Sequence, residues 1–178
     1  LLQHFLAISE QVDLPQIIYN VPGRTAVNIS ADTQIEIAKQ CKNVVATKEA
    51  SGNLEQAMNI IKSAPENFAL LSGDDALTLP LMSIGAKGIV SVLSNFAPTE
   101  LKSMVQLALA NDYLQARKIH YELLDLMQLN FIETNPVPVK AALGLMGLIE
   151  PFVRLPLVPI AKSNLDKISD AMKVLKLI

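Results

Sequence analysis

The sequence contains no tryptophan, one cysteine and two histidines, and each scarcity closes off a class of chemistry. A single cysteine, Cys41, cannot form an internal disulfide. It falls near the end of a helix-like stretch and reads as a small buried apolar residue. His4 and His120 lie far apart, with no His or Cys neighbour at ligand spacing, so the pattern offers no metal site. The chain also lacks an excess of basic charge: a formal net charge of -2 and a pI near 5.7 give no electrostatic reason to expect nucleic acid. Long apolar runs are missing too. The richest, Ala141 to Leu148, falls far short of the roughly 20 residues that span a bilayer. No charged segment precedes an apolar core in the manner of a secretory signal. A cytoplasmic protein, without membrane or nucleic-acid partners, is the expectation. What is present in quantity is apolar surface: 51% of 178 residues are hydrophobic, ample for a sizeable core.

The first residue is Leu1, and Leu1 to Ile8 has helix-like apolar spacing that starts in mid-element. The chain reads as the C-terminal part of something longer. Strand-like apolar runs then recur at Gln16 to Val21, Val44 to Lys48, Phe68 to Ser72 and Gly88 to Val92. Each is apolar over most of its length, as expected of strands buried on both faces of a parallel sheet. Each is followed by a helical pattern: Thr33 to Lys39 with Asp32 or Ser30 as N-cap, Leu54 to Ser63 capped by Asn53, Ala76 to Ile84, and Pro98 to Ala110 with Pro98 at the first helical position. Alternating strand and helix predicts a parallel α/β sheet. The repeat length is that of one unit of an eightfold barrel, where roughly 250 residues serve eight units. The fold class is therefore α/β, the second half of a (β/α)8 TIM barrel over residues 1–111, followed by a C-terminal helical domain over 112–178. In that second part Tyr113 to Asn130 predicts a helix, Asn135-Pro136-Val137-Pro138 a break, Ala141 to Met146 a further helix and Ser163 to Leu177 a last one, with Ser163 and Asp166 at capping-box spacing.

The residues able to do chemistry fall at the ends of the strand-like runs, where a parallel barrel places its active site. Lys48 ends Val44-Val45-Ala46-Thr47-Lys48, just before Ser51-Gly52-Asn53. Strand alternation puts Val44, Ala46 and Lys48 on one face. An ammonium on a buried strand is costly, and desolvation favours the neutral amine that attacks carbonyls. By the same alternation Ile17, Tyr19 and Val21 share a face, which sets Tyr19 at the level of Lys48 on the neighbouring strand. A phenol there can pass protons; taken alone, the residue fits an ordinary core tyrosine better. Arg24 follows a Pro-Gly turn and would hang over the barrel mouth, where a guanidinium suits a substrate carboxylate; it equally fits a solvated loop arginine. Gly73, in Ser72-Gly73-Asp74-Asp75, would permit close approach of a ligand to the backbone. The two aspartates suit capping of the following helix.

Five segments in register, Tyr19-Asn20-Val21-Pro22-x-Arg24-Thr25, Lys48-Glu49-Ala50-Ser51-Gly52-Asn53, Leu71-Ser72-Gly73-Asp74-Asp75, Gly88-x-x-Ser91-Val92 and Asn135-Pro136-Val137-Pro138-Val139-Lys140, resemble the dihydrodipicolinate synthase family. The resemblance implies a Schiff-base aldolase that condenses pyruvate with L-aspartate 4-semialdehyde in lysine and diaminopimelate biosynthesis, with no cofactor. It implies that Lys48 forms the Schiff base, that Tyr19 relays protons, and that Arg24 binds the semialdehyde carboxylate. Gly73 and the backbone carbonyl of Val90 would line the pyruvate pocket. The resemblance further implies a homo-oligomer, a tetramer. It also implies that the family's N-terminal half, which supplies a threonine pair, a second tyrosine and most of a lysine feedback site, is absent from this chain. N-acetylneuraminate lyase and sugar-acid aldolases share the tyrosine and lysine, and Arg24 favours the synthase over them. A catalytically incomplete fragment or assembly module is the other reading.

Overall fold

The computed structural model describes residues 1–178, which form two compact units, Leu1–Val90 and Ser91–Ile178. In the first, a helix α1 (Leu2–Gln11) precedes β1 (Gln16–Asn20), a one-turn helix α2 (Pro22–Thr25), α3 (Ala31–Gln40), β2 (Val44–Glu49), α4 (Leu54–Ser63), β3 (Ala69–Ser72), α5 (Thr78–Ser83) and β4 (Gly88–Ile89). The four strands make one parallel sheet in sequential order, β1-β2-β3-β4. That is the topology of consecutive barrel units.

The helices start where the sequence provides caps. The Asn53 side chain accepts the Gln56 N–H at 3.0 Å, with Glu55 in the first turn and Lys62 in the last complementing the helix dipole. For α3 the structure selects Ser30, not Asp32, as N-cap: its Oγ accepts the Thr33 N–H at 3.3 Å. Asp32 sits inside the first turn, where its charge still suits the dipole. Helix α3 packs on β2, α4 on β3, and the two helices on each other, so one helical layer covers one face of the sheet. Ile18, Ile29, Ile37, Cys41 and Val44 form a core cluster on this side. Full burial of each large aliphatic side chain contributes about 1.5–3 kcal/mol.

Three expectations about the strands are corrected here. The strands are not buried on both faces: Ile17 is 51% exposed and Tyr19 47%, because α3 and α4 cover the other side only. And Val44 does not share the face of Ala46 and Lys48. The β1–β2 register slips between Gln16 and Ile17, pairing Gln16 with Val44 but Ile17 with Ala46. Such a bulge resets alternation, and Val44 joins Ile18 in the helix-covered cluster. The fourth strand is also shorter than its apolar run. It ends at Ile89, although the Val90 N–H still donates to the Ser72 carbonyl at 2.9 Å.

The second unit contains a 3-10 turn (Leu93–Asn95) that no apolar periodicity announced. The Ser91 hydroxyl accepts the Ser94 N–H at its start. Helices α6 (Pro98–Leu109), α7 (Tyr113–Leu129), α8 (Val137–Leu145) and α9 (Lys162–Val174) follow. Helix α8 begins earlier than expected: Val137 and Pro138 occupy its first turn, where a proline has no intrahelical N–H to lose. The capping box expected at Ser163 and Asp166 does not form. The N-cap of α9 is Ala161, which has no side-chain cap; Glu133 Oε1 instead accepts the Ala161 N–H at 3.0 Å and the Asn164 amide at 2.8 Å. No helix is long and apolar enough to cross a membrane.

Candidate active site

Parallel pairing aligns the C-terminal ends of β1 and β2 residue by residue: Tyr19 lies opposite Lys48, and Asn20 opposite Glu49. This alignment assembles the first part of the site. The Lys48 Nζ stands 3.8 Å from the centroid of the Tyr19 ring. The amine thus meets the π face of the phenol ring, a contact that holds a long flexible side chain over a rigid one. Lys48 is partly buried and Tyr19 half-exposed, both on the face not covered by α3 and α4.

Gly73 completes the floor. It follows β3, and its N–H donates to the Glu49 carbonyl at 2.8 Å. A Cβ at this position would stand 2.6 Å from the Ala50 Cβ and 3.2 Å from the Lys48 Cε. The close approach that glycine permits here is therefore that of the chain's own Ala50 and Lys48. An alanine would push on the very methylene that carries the amine. Arg24 is exposed in α2, whose end is turned by Ala26 at φ 57, with the Ala26 N–H donating to the Pro22 carbonyl. Val90, 41% exposed, follows β4 in register with the end of β3. The structure thus brings Lys48, Tyr19 and Gly73 into contact distance of one another or of a shared neighbour, and sets Arg24 and Val90 on the segments that follow β1 and β4. The capping expected of Asp74 and Asp75 is not found: α5 starts at Thr78 rather than Ala76, its N-cap Leu77 has no side-chain cap, and Asp74 Oδ1 instead accepts the N–H groups of Ala76 and Leu77 in the turn before it.

One group in this region escaped the sequence reading. Glu49, next to Lys48, is 3% exposed. Its carboxylate accepts from Asn20 Nδ2 at 3.1 and 3.0 Å, Gln34 Nε2 at 2.9 Å, Gln56 Nε2 at 3.1 Å and the Ser51 N–H at 2.7 Å. A buried carboxylate needs such donors to offset lost hydration. The signal was available: if Lys48 points to one face of the strand, alternation sends Glu49 to the other, under the helices.

The chain resembles known proteins in sequence and fold. The sequence profile of the Dihydrodipicolinate synthetase family matches residues 1–175. The 4-hydroxy-tetrahydrodipicolinate synthase of Koribacter versatilis is 53% identical over 176 residues, covering 97% of this chain and 58% of the relative. That of Aquifex aeolicus is 46% identical over 173 residues, covering 97% and 59%. Among solved structures, dihydrodipicolinate synthase from Aquifex aeolicus superposes with a TM-score of 0.97 at 45% identity, covering 99% of this chain and 60% of that one. The Acinetobacter baumannii synthase, described as chloride-inhibited and complexed with pyruvate, superposes with a TM-score of 0.95 at 40% identity, covering 99% and 60%. The chain therefore spans about three-fifths of the length of the relatives it matches.

Proposed function

Because the chain belongs to the dihydrodipicolinate synthetase family, we propose that it carries the Schiff-base part of an aldolase-type synthase, one that condenses pyruvate with L-aspartate 4-semialdehyde to 4-hydroxy-tetrahydrodipicolinate in lysine and diaminopimelate biosynthesis. The observation that carries this reading is the Lys48 amine poised 3.8 Å over the Tyr19 ring at the C-terminal ends of paired parallel strands.

The chemistry follows from those groups. The neutral Lys48 amine attacks the pyruvate ketone, the carbonyl oxygen leaves as water, and an iminium forms. The iminium is an electron sink, so the adjacent methyl loses a proton and becomes an enamine. The enamine carbon adds to the aldehyde of the second substrate, whose oxygen takes up a proton. Tyr19 is the proton carrier at the reacting carbon. Arg24 holds the second substrate by its carboxylate, which turns encounter into orientation. Gly73 and the Val90 carbonyl border the pyruvate pocket. In the complete enzyme residues 1–111 count as barrel and 112–178 as the helical domain, and the working form is a homo-oligomer, a tetramer. One solved relative, 40% identical with a TM-score of 0.97, is described as a monomeric variant, so assembly is a property to measure in this chain. A cytoplasmic location accords with this role.

Pyruvate and borohydride provide the test. Reductive trapping in the complete enzyme, followed by peptide mapping, is expected to label Lys48, and Lys48→Ala is expected to abolish trapping while leaving the circular dichroism spectrum intact. Labelling at another lysine would overturn the assignment.

A further inference from the structure

Resting on that reading of Lys48, we infer that Glu49 is a positioning residue: its buried carboxylate fixes the ends of β1 and β2 and thereby holds the Lys48 amine over the Tyr19 ring. Four N–H groups converge on it, from Asn20, Gln34, Gln56 and Ser51, and they belong to β1, α3, α4 and the turn after β2. Asn20 is the residue directly after Tyr19, and Glu49 the residue directly after Lys48. The side-chain bond from Asn20 to Glu49 therefore joins the two strands one residue beyond the catalytic pair, on the opposite face. Two backbone bonds brace the same level: the Ala50 N–H donates to the Asn20 carbonyl and the Gly73 N–H to the Glu49 carbonyl, each at 2.8 Å.

The orientation of each amide is dictated by a second partner. Asn20 Oδ1 accepts the Ile29 backbone N–H at 2.9 Å, a group that can only donate, so the Asn20 NH2 must face the carboxylate. Gln34 Nε2 also donates to the Ile29 carbonyl at 2.8 Å, and Gln56 Nε2 to the same carbonyl at 3.3 Å, groups that can only accept. Every neighbour of the Glu49 carboxylate thus presents a hydrogen, and only an acceptor-only group satisfies them all. Glutamine would place an NH2 among donors, and the strand ends would have to part to accommodate it. A carboxylate bonded to β1, α3, α4 and the turn after β2 fixes their relative placement to the tolerance a near-attack geometry requires.

The test compares the chain with Glu49→Gln, with Gln56→Leu, which removes one donor, and with Ile60→Ala. Ile60→Ala is a cavity in the same helical layer, at a site with no hydrogen bond to the carboxylate, and is chosen to lower stability without touching the network. Two readouts are taken: the ring-current displacement of the Lys48 ε-methylene resonance by Tyr19, and the initial rate of pyruvate trapping at Lys48. Glu49→Gln is expected to lose the ring-current displacement and to trap roughly tenfold to hundredfold more slowly. Gln56→Leu should lose part of both, and Ile60→Ala neither, in spite of its lower melting temperature. An unchanged displacement in Glu49→Gln, or an equal loss in Ile60→Ala, would overturn the inference. Should Glu49→Gln fail to fold, Gln56→Leu against Ile60→Ala decides by the same criteria. Should the parent chain, with a relative's N-terminal half added, show the displacement, lost in Glu49→Gln, but trap no pyruvate at all, Glu49 stands as a positioning residue and the reading of Lys48 as the Schiff-base lysine fails.

Discussion

On β1, Ile18 is 2% exposed while Ile17, one residue away, is 51% exposed. The same division runs across the strand pair. Toward α3 and α4 point Ile18, Asn20, Thr47 and Glu49, buried among aliphatic side chains and matched hydrogen bonds; Thr47 Oγ1, for example, donates to Gln34 Oε1 at 2.6 Å. On the other face stand Ile17, Tyr19 and Lys48, open or partly open, with an amine over a ring and no such network around them. The covered face pairs its polar side chains with one another and with the backbone, and the open face keeps its polar groups available to a substrate. Stability and reactivity are thus built on opposite sides of the same residues, and the division suggests measurements in which one side fails without the other.

The largest effect is expected from the open face as a whole. Exposed apolar side chains on strands invite association, and the chain spans about three-fifths of its relatives' length. The 178-residue chain assayed alone is expected to associate and to condense the two substrates at far below the roughly 1 per second ordinary for an enzyme. Adding the upstream barrel segment of a relative should raise the rate and reduce association together. A monodisperse monomer with normal turnover would break the comparison at its root.

Next in size is the contrast on β1. Ile18→Ala removes a side chain from the covered cluster and should cost about 2–4 kcal/mol in chemical denaturation. Ile17→Ala, already half in solvent, should cost under about 1 kcal/mol. An equal cost, measured at dilutions where the chain does not associate, would show that Ile17 is buried within the single chain. Arg24→Ala, assayed with the upstream segment of a relative added, should have the opposite profile: melting temperature and pyruvate trapping unchanged, condensation weakened by about 2–5 kcal/mol of transition-state binding. Loss of trapping to the same degree would make Arg24 a support of the loop rather than a binder of the second substrate.

How much of this was legible in the sequence depends on the range of the interaction. The start of β2, the Ser51-Gly52-Asn53 turn and the bounds and cap of α4 were readable because all are local, although β2 runs one residue past Lys48, to Glu49. The pairing of Tyr19 with Lys48 followed from alternation and strand order. The bulge beside Val44 did not, since a register slip is set by the neighbouring strand. Nor did the start of α9, whose cap is supplied by Glu133 from far away in sequence. Proline misled at Val137-Pro138 because the same residue ends one helix and opens another, and only the following backbone tells which. Glu49 carries no local signal beyond strand alternation: what marks it out is its donors, which come from β1, α3, α4 and the turn after β2.

The smallest expected effect reaches the covered face through a helix end. The Asn53 side chain accepts the Gln56 N–H at 3.0 Å, and the Gln56 side chain in turn donates to Glu49 at 3.1 Å. Asn53→Ala removes a helix cap, worth typically about 1 kcal/mol, and frees the first turn of α4 to fray. That turn carries one of the four donors to the Glu49 carboxylate, so the loss should exceed what a cap alone contributes, by the part of the Gln56 bond that fraying surrenders. Asn53→Ser restores an acceptor at the same place and should recover most of the stability. A double-mutant cycle with Gln56→Leu separates the two contributions. Coupling of several tenths of a kcal/mol or more is expected if the cap acts through Gln56. Strict additivity would show that the cap serves α4 alone and that the Glu49 network is held independently of the helix start.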